Sequence, residues 1–450
     1  MDNHYEESLG RQRMLTLIFR MALPSVAAQL VNLLYGIVDR IYIGHIPVIG
    51  TEALAGVGVT NSVILLISAF SQIVGGGGTS LAAVALGRGD RDRADKILGN
   101  GFVMLLVFTA ITVTLTYVFM EPLLRLTGAS DHTIGYAMDF LSVYLIGTLF
   151  VQIASGLNGF ISCQGRPGVA MASVLIGAAL NIVLDPIFIF VCGWGVQGAA
   201  GATVIAQLCS AAWVLGFLGS HRASLRIRRA CLRPDGRVIR SVLALGVSPF
   251  VMASTESLIG FVLNGSLARF GDIYVSALAV MQSAMQAVSV PLSGFAQGVI
   301  PVISYNYGHG SPRRVKSCFH ITMAVTFSFN FLLVLLFILL PAETARLFTG
   351  DAALIAVVRR VMPVFLAGMS IFGLQRTCQN TFVALGQAKV SLFIALLRKV
   401  ILLVPLALIL PRFMGVMGVY AAEAIADGTA AVICTAIFAV LFPKILRRPA

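Results

Sequence analysis

The sequence contains little charge. Only 11% of its 450 residues are Asp, Glu, Lys or Arg, whereas a soluble domain carries roughly 25%. Hydrophobic residues make up 58% of the chain and form long apolar runs along its whole length. This balance excludes an ordinary soluble domain and predicts an all-α polytopic membrane protein.

The motifs of metal centres and of common enzymes are also missing. The seven cysteines lie far apart without a CxxC pair, the six histidines show no metal-ligand spacing, and no HExxH or P-loop sequence occurs. We therefore expect no cofactor, no metal site other than a possible Na⁺, and no enzymatic activity. The net charge of +13 does not indicate nucleic acid, because the basic residues lie in short segments between the apolar runs.

Apolar runs long enough to cross a bilayer occur twelve times. A spanning helix needs about 20 mainly apolar residues. The predicted spans are 14–43, 54–80, 98–120, 134–160, 167–191, 196–219, 241–268, 275–305, 318–340, 355–383, 388–410 and 416–441.

Lys and Arg are distributed unevenly between the two sides of these spans. If the N-terminus is cytoplasmic, the basic segments 88–96, 220–240 and 313–316 all lie inside, and few bases lie outside. This bias predicts that both termini are cytoplasmic in a multi-pass protein of the plasma (inner) membrane. The polar, acidic N-terminal segment does not resemble a cleaved signal peptide.

The second half of the chain repeats the first. "EALAGVGVTNSV" at 52–63 resembles "SALAVMQSAMQA" at 276–287, and "GVQGAAGATVIAQ" at 195–207 resembles "GVMGVYAAEAIAD" at 415–427. Six spans per repeat give two halves of the same orientation. We predict two pseudo-symmetric six-helix bundles, residues 1–219 and 241–450, joined by a basic cytoplasmic linker at 220–240.

A carboxylate interrupts the oily stretch "NIVLDPIFIF" at 181–190. Asn181 and Asp185 are four residues apart and share one face of a helix, and Pro186 favours a kink beside them. The predicted topology places Asp39 and Thr203 at a similar depth. These four side chains form a set of hard oxygen ligands suited to H⁺ or Na⁺. The alternative is that Asp185 only caps a neighbouring helix or pairs with a base.

The second half has no equivalent acids. In the internal repeat Asp185 aligns with Leu406, Asn181 with Leu402 and Asp39 with Asn264. Since general packing would treat both halves alike, this asymmetry favours a cation function confined to the first half.

Further polar residues interrupt the later spans. We consider five of them candidates for the wall of a substrate cavity: Glu256, Gln282, Gln286, Glu423 and Asp427. Glu423 and Asp427 share a helix face, where they either attract organic cations or pair with Arg398 or Lys399. Glu256 equally either meets a cationic compound or pairs with a base.

Several of these motifs together resemble a known family. "MALPSVAAQLVNLLYGIVDRIYIG" at 21–44, "GRGDRDRADK" at 87–96, "NIVLDPIFIF" and "GVQGAAGAT" at 195–203 occur in the order and spacing of the multidrug and toxic compound extrusion (MATE) transporters. The resemblance covers roughly residues 14–441. It implies two six-helix bundles around a cavity that opens alternately to each side.

The resemblance also implies a function. Members of that family are cation-coupled antiporters that export amphipathic, often cationic, organic compounds, and they hold the cation in the first bundle. By position that site consists of Asp39, Asn181, Asp185 and Thr203, with Asn158 as a further member. Some members use acids on the seventh and tenth helices, but the tenth here carries Arg376 and no acid.

The expected partners are a small organic substrate, H⁺ or Na⁺ and membrane lipid, with no nucleic acid and a monomeric chain. The alternative is a related flippase of lipid-linked oligosaccharides, which would need a strongly basic cavity. A membrane enzyme is disfavoured because the motifs of such enzymes are missing, and a transport-inactive receptor is disfavoured because the acidic set is intact.

Overall fold

The computed structural model describes residues 9–47, 49–348 and 350–447, without the side chains of residues 51, 256–261, 268 and 272. This part of the chain folds into twelve long apolar helices, which confirms the predicted all-α architecture. The helices are α1 Met14–Gly44, α2 Glu52–Gly87, α3 Arg91–Val118, α4 Ile134–Ser162, α5 Pro167–Val191, α6 Gly195–Gly219, α7 Gly236–Ala268, α8 Asp272–Gly308, α9 Pro312–Leu339, α10 Ala352–Ala384, α11 Ala388–Met414 and α12 Val416–Arg447.

Several helices begin earlier than the apolar runs predict. Helix α3 begins at Arg91 because Asp90 caps it, accepting a hydrogen bond from Arg93 N at 3.0 Å. Helix α7 begins inside the predicted linker, where Asp235 accepts from Arg237 N at 2.9 Å. Hydropathy locates the membrane-embedded part of a helix, whereas the capping residue determines where the helix starts.

Three helices widen locally into π-helical turns. The turns are Ile73–Gly78 in α2, Ile187–Val191 in α5 and Leu397–Leu403 in α11. The turn in α5 follows directly on Pro186, which cannot donate a hydrogen bond to Ile182 O. Such turns are frequent at functional sites because they redirect the side chains around them. Two of these three contain or adjoin the buried charges described below.

The first six helices contact the last six through closely packed glycines. A methyl group on Gly77 of α2 would lie 2.5 Å from Gly246 N on α7. One on Gly294 of α8 would lie 2.6 Å from Val26 Cα on α1. Small residues let helix backbones approach each other in a membrane. Within the run of glycines at 75–78, Gly76 and Gly77 thus pack against α7 of the second half, whereas Gly75 packs against α4.

The segment that joins the halves is bound to the first half. Asp95 at the start of α3 accepts a hydrogen bond from Arg226 N at 3.0 Å and pairs with Arg228 at 3.1 Å. Asn100 Oδ1, one turn further along α3, accepts from Asp235 N at 2.8 Å. Gln164 Oε1, two residues beyond the end of α4, accepts from Ser224 N at 2.8 Å. The linker therefore has a defined path across the ends of α3 and α4.

We predict that Gly77→Val destabilises the contact between α2 and α7, because the added atoms would meet the backbone of Gly246. Overpacking typically costs about 1–3 kcal/mol of unfolding free energy. Chemical unfolding in detergent micelles measures the loss. Gly58→Val is the matched control, since Gly58 lies on the same helix with open space around it. Equal effects of the two substitutions would contradict a packing role for Gly77.

Candidate functional site

Polar side chains from α5 and α6 form a hydrogen-bonded cluster in the first half. Asn181 Nδ2 donates to Asp185 Oδ1 at 3.1 Å and to Thr203 Oγ1 at 3.3 Å. Thr203 in turn donates to Ala199 O, one turn earlier in α6. Asp185 is fully buried and Asn181 is 2% exposed. Direct hydrogen bonds thus connect three of the four residues that the sequence analysis selected.

The fourth residue, Asp39 of α1, lies close enough to Asp185 for the two carboxyl groups to interact electrostatically. Two carboxyl groups can hydrogen-bond to each other only when one of them carries a proton, because two carboxylates are both acceptors. If both are ionised, a cation has to lie between them to offset their repulsion. The pair is therefore suited to exchange between a protonated and a cation-bound form.

Three oxygen atoms of this cluster are buried without a hydrogen-bond partner among the described residues. They are Asp39 Oδ1, Asn181 Oδ1 and Asp185 Oδ2. Buried polar atoms are nearly always satisfied, so three neighbouring exceptions require a physical explanation. All three are acceptors, and all three belong to groups that bind hard cations or protons. The arrangement is complementary to a positive ligand.

Tyr35 is part of this cluster, although the sequence reasoning did not select it. It lies one turn before Asp39 on α1, and its phenol interacts electrostatically with both Asp39 and Asp185. The Tyr144 side chain on α4 interacts electrostatically with Tyr35. The spacing of Tyr35 and Asp39 by four residues is a signal that the sequence does contain.

The local backbone explains how α5 and α6 approach each other at this point. Gly198 near the start of α6 lies so close to α5 that an added methyl would be 2.7 Å from Phe188 C. Phe188 lies in the π-turn that follows Pro186. Because Gly198 allows this contact, Thr203 reaches Asn181 with only a short side chain.

Asn158 lies apart from the cluster. Its Nδ2 donates to Ala170 O at 3.2 Å, and its Oδ1 accepts from Ser173 Oγ at 3.3 Å. Ser173 and Asp185 are separated by roughly 18 Å along α5 at about 1.5 Å per residue. The structure therefore places Asn158 in a separate contact between α4 and the beginning of α5.

The acids of α12 are paired with bases of α11. Arg398 binds both oxygens of Asp427 through Nε and Nη2, and its Nη2 lies 3.7 Å from Glu423 Oε1. Lys399 Nζ is 4.0 Å from the same Glu423 oxygen. Glu423 and Asp427 are 2% and 1% exposed. The sequence left two alternatives for Glu423 and Asp427, attraction of organic cations or pairing with Arg398 or Lys399. The structure shows the ion pairs.

The other predicted cavity residues have different surroundings. On α8, Gln282 is half-buried and Gln286 is exposed, one turn apart. Glu256 lies in α7, but its side chain is outside the described residues. Arg376 of α10, at the position where acids occur in some transporters, donates to Ser293 Oγ of α8 at 2.6 Å.

Comparison with known proteins agrees with this architecture. The family model MatE matches residues 24–187 and 250–409, one segment in each half. The chain is 22% identical to the multidrug export protein MepA of Staphylococcus haemolyticus (strain JCSC1435) over 417 residues, covering 92% of this chain and 90% of that protein. MepA of Staphylococcus aureus (strain N315) is also 22% identical, over 92% of this chain and 91% of its own length.

Solved structures show the same fold. The outward-facing conformation of a multidrug resistance MATE family transporter of the MOP superfamily superposes with a TM-score of 0.90 at 22% identity, covering 97% of this chain and 98% of that one. A crystal structure of MATE in the bent conformation gives a TM-score of 0.90 at 23% identity over 99% of both chains.

We predict that Arg398→Met lowers the unfolding free energy by about 3 kcal/mol, because it leaves the buried Asp427 without its partner. The double variant Arg398→Met/Asp427→Leu should recover most of this loss, since it removes both charges. Chemical unfolding in mixed micelles measures both variants, with Arg412→Met at the exposed end of α11 as the control. A double variant less stable than the single one would argue against the pairing.

Proposed function

Because the chain belongs to the MatE family, we propose that it is a secondary antiporter rather than an enzyme. It exports amphipathic, often cationic, organic compounds and is driven by the entry of H⁺ or Na⁺. The chain acts as a monomer in the plasma (inner) membrane with both termini in the cytoplasm. The coupling cation binds in the first half at Asp39, Asn181, Asp185 and Thr203. The names of the MepA proteins, which are multidrug export proteins, support the direction and the substrate class.

The observation that carries this proposal is the set of buried acceptors without partners: Asp39 Oδ1, Asn181 Oδ1 and Asp185 Oδ2. Burying two carboxylates in a membrane protein is costly unless a positive partner is present. No Lys or Arg forms an ion pair with Asp39 or Asp185 among the interactions found in residues 9–47, 49–348 and 350–447. A cation taken from solution supplies the missing charge.

Coupling follows if the cation binds one arrangement of the helices more tightly than the other. A ligand shifts a conformational equilibrium only through such a difference in affinity. The site joins α1 to α5 and α6, and α1 also packs against α8 of the second half at Gly294. We infer that loading the site changes the position of α1 against α5 and thereby alters the contact between the halves. Tyr35 lies on α1 and interacts with both carboxyl groups, so its surroundings change when the site is loaded.

The lipid-linked oligosaccharide flippase is the less favoured function. It requires a cavity with a large excess of basic groups to hold a pyrophosphate. In this chain the acidic cluster of the first half has no counterpart in such a function, and the two bases of α11 are already bound to Glu423 and Asp427. Cation-coupled export therefore explains the acidic cluster of the first half, whereas flippase activity does not.

Transport in proteoliposomes tests the proposal. We expect a gradient of H⁺ or of Na⁺, imposed separately, to drive movement of a fluorescent organic cation by the wild-type protein. Asp39→Asn and Asp185→Asn should each reduce this movement at least about tenfold, because each removes a charge that the cation needs. Asp139→Asn is the matched control, since Asp139 is exposed on α4 and hydrogen-bonds Gln197.

Two results would contradict the proposal. Gradient-driven transport that survives both substitutions would remove the coupling site from the first half. A correctly folded wild-type protein that moves no organic cation under either gradient would favour the flippase instead.

A further inference from the structure

The chain that precedes α1 lies on the second half of the protein. In these residues, 9–13, which we call the N-terminal strap, Leu9 is fully buried. The carbonyl oxygen of Leu9 accepts a hydrogen bond from Asn306 Nδ2 of α8 at 3.0 Å and another from Arg314 Nη2 of α9 at 3.1 Å. Arg314 Nη2 also donates to Gln12 O at 3.0 Å, and Arg314 Nε donates to Asn306 Oδ1 at 2.8 Å. A charged, forked donor thus fixes the strap to the corner between α8 and α9.

The N-terminal strap is not a continuation of α1. Arg13 has φ −56° and ψ 130°, an extended conformation, and α1 begins only at Met14. Within the described residues no side chain caps this end of α1, so the angle between strap and helix is not fixed by a cap. Gly10 of the strap also lies against the second half, since an added methyl group would be 3.5 Å from the ring of Tyr305 on α8. The strap therefore follows the second half, although its chain continues into the first.

The two halves touch backbone to backbone at the same face of the bundle. Because successive helices alternate in direction, the start of α1 and the ends of α2 and α8 all lie at this face, which we call the strap face. A methyl group on Gly87 of α2 would overlap Tyr305 O of α8, and one on Gly308 of α8 would overlap Val84 O of α2. Glycine at both positions lets the ends of α2 and α8 meet, and their contact closes the strap face.

The linker makes the equivalent contact in the opposite direction. It precedes α7 and is bound to α3 through Asp95 and Asn100, just as the strap precedes α1 and is bound to α9 through Arg314. The linker is continuous with helices on both sides, α6 and α7, whereas the strap joins only α1 among the described helices. When the halves separate at the strap face, the linker can stay on the first half. The strap cannot keep its hydrogen bonds, since they connect the start of α1 to α8 and α9.

We propose that Arg314 and Asn306 form a latch that holds the N-terminal strap and keeps the strap face closed. Opening this face breaks the three hydrogen bonds to Leu9 O and Gln12 O and exposes the Leu9 side chain. The latch therefore favours the closed arrangement, and Arg314 acts as a positioning residue for α1. The proposal rests on the export function proposed above, because it requires a cycle in which the halves separate alternately at the two faces.

The latch acts on the same helix as the cation site. Met14, next to the strap, and Asp39 lie near opposite ends of α1. The strap holds the start of α1 against the second half, whereas Asp39 faces α5 of the first half. Both sites therefore influence the position of α1 between the halves. A loaded cation site changes the equilibrium only as far as it offsets the hydrogen bonds of the latch.

Distances between pairs of spin labels test the latch on the purified full-length protein without substrate or ion gradient. One pair reports on the strap face, with Arg93→Cys on α3 and Lys316→Cys on α9, both exposed. The other pair reports on the opposite face, with Leu126→Cys and Leu347→Cys, which are 73% and 81% exposed. The native cysteines that are not buried are replaced by serine: Cys192, Cys209 and Cys231.

We expect Arg314→Gln to raise the ratio of open to closed strap face about tenfold, because it removes the charged donor that holds the strap. The distance between the labels on α3 and α9 should lengthen in the open fraction, and the distance at the opposite face should shorten in the same fraction. Asn306→Ala, which removes a neutral donor to Leu9 O, should shift both distances in the same directions by a smaller factor. Arg313→Gln is the matched control, since Arg313 is exposed beside the latch, and it should change neither distance.

Three results separate the latch from simpler explanations. Longer distances at the strap face with an unchanged opposite face would indicate local loosening of the strap and would overturn the proposal. Identical distance distributions in the wild type, Arg314→Gln and Asn306→Ala would overturn it as well. If the distances shift as expected while the wild type transports no organic cation in proteoliposomes, the latch is supported and the proposed export function is not.

Discussion

Charge inside a membrane has to be balanced locally, and this requirement governs the polar interior of both halves of the protein. Removing an ionised group from water costs several kcal/mol in a real protein unless a partner offsets it. In the second half the partner is part of the chain, because Arg398 and Lys399 bind Glu423 and Asp427. In the first half Asp39 and Asp185 face each other and leave acceptor atoms unsatisfied. The same physical constraint thus leads to fixed ion pairs in one half and to the proposed cation site in the other.

This difference gives the two halves distinct roles in the proposed cycle. A carboxyl pair that depends on an external cation responds to the ion concentration on each side of the membrane, whereas a carboxylate bound to Arg does not. Helix α1 connects the two halves, since it carries Asp39 and packs closely against Gly294 of α8. A change at the cation site can therefore reach the second half of the protein through helix packing.

Much of the fold and part of the site follow from the sequence. Apolar length gives the twelve helices, and the i, i+4 spacing of Asn181 and Asp185 places both on one face of α5. The predicted starts of α3 and α7 lie several residues after the observed ones, because Asp90 and Asp235 cap these helices outside the apolar runs. Tyr35 was missed although it lies four residues before Asp39, because that spacing does not reveal its interaction with Asp185 on another helix.

Sequence spacing does not determine which residue a buried acid pairs with. Glu423 and Asp427 were consistent with a substrate cavity or with ion pairs, and the choice depends on the π-turn that orients Arg398 and Lys399. Asn158 likewise matched the family pattern, yet its hydrogen bonds go to Ala170 and Ser173. Contacts between helices distant in sequence decide both cases.

Cation occupancy of the purified protein is the most direct test of the central claim that Asp39 and Asp185 hold an exchangeable cation. Retention of radioactive sodium and proton release on adding Na⁺ can be measured on the same sample, for the wild type and for Asp39→Asn/Asp185→Asn. We predict that the wild type shows saturable sodium retention, or uptake and release of protons, and that the double variant shows neither. Identical sodium retention and proton exchange in the two proteins would contradict the account.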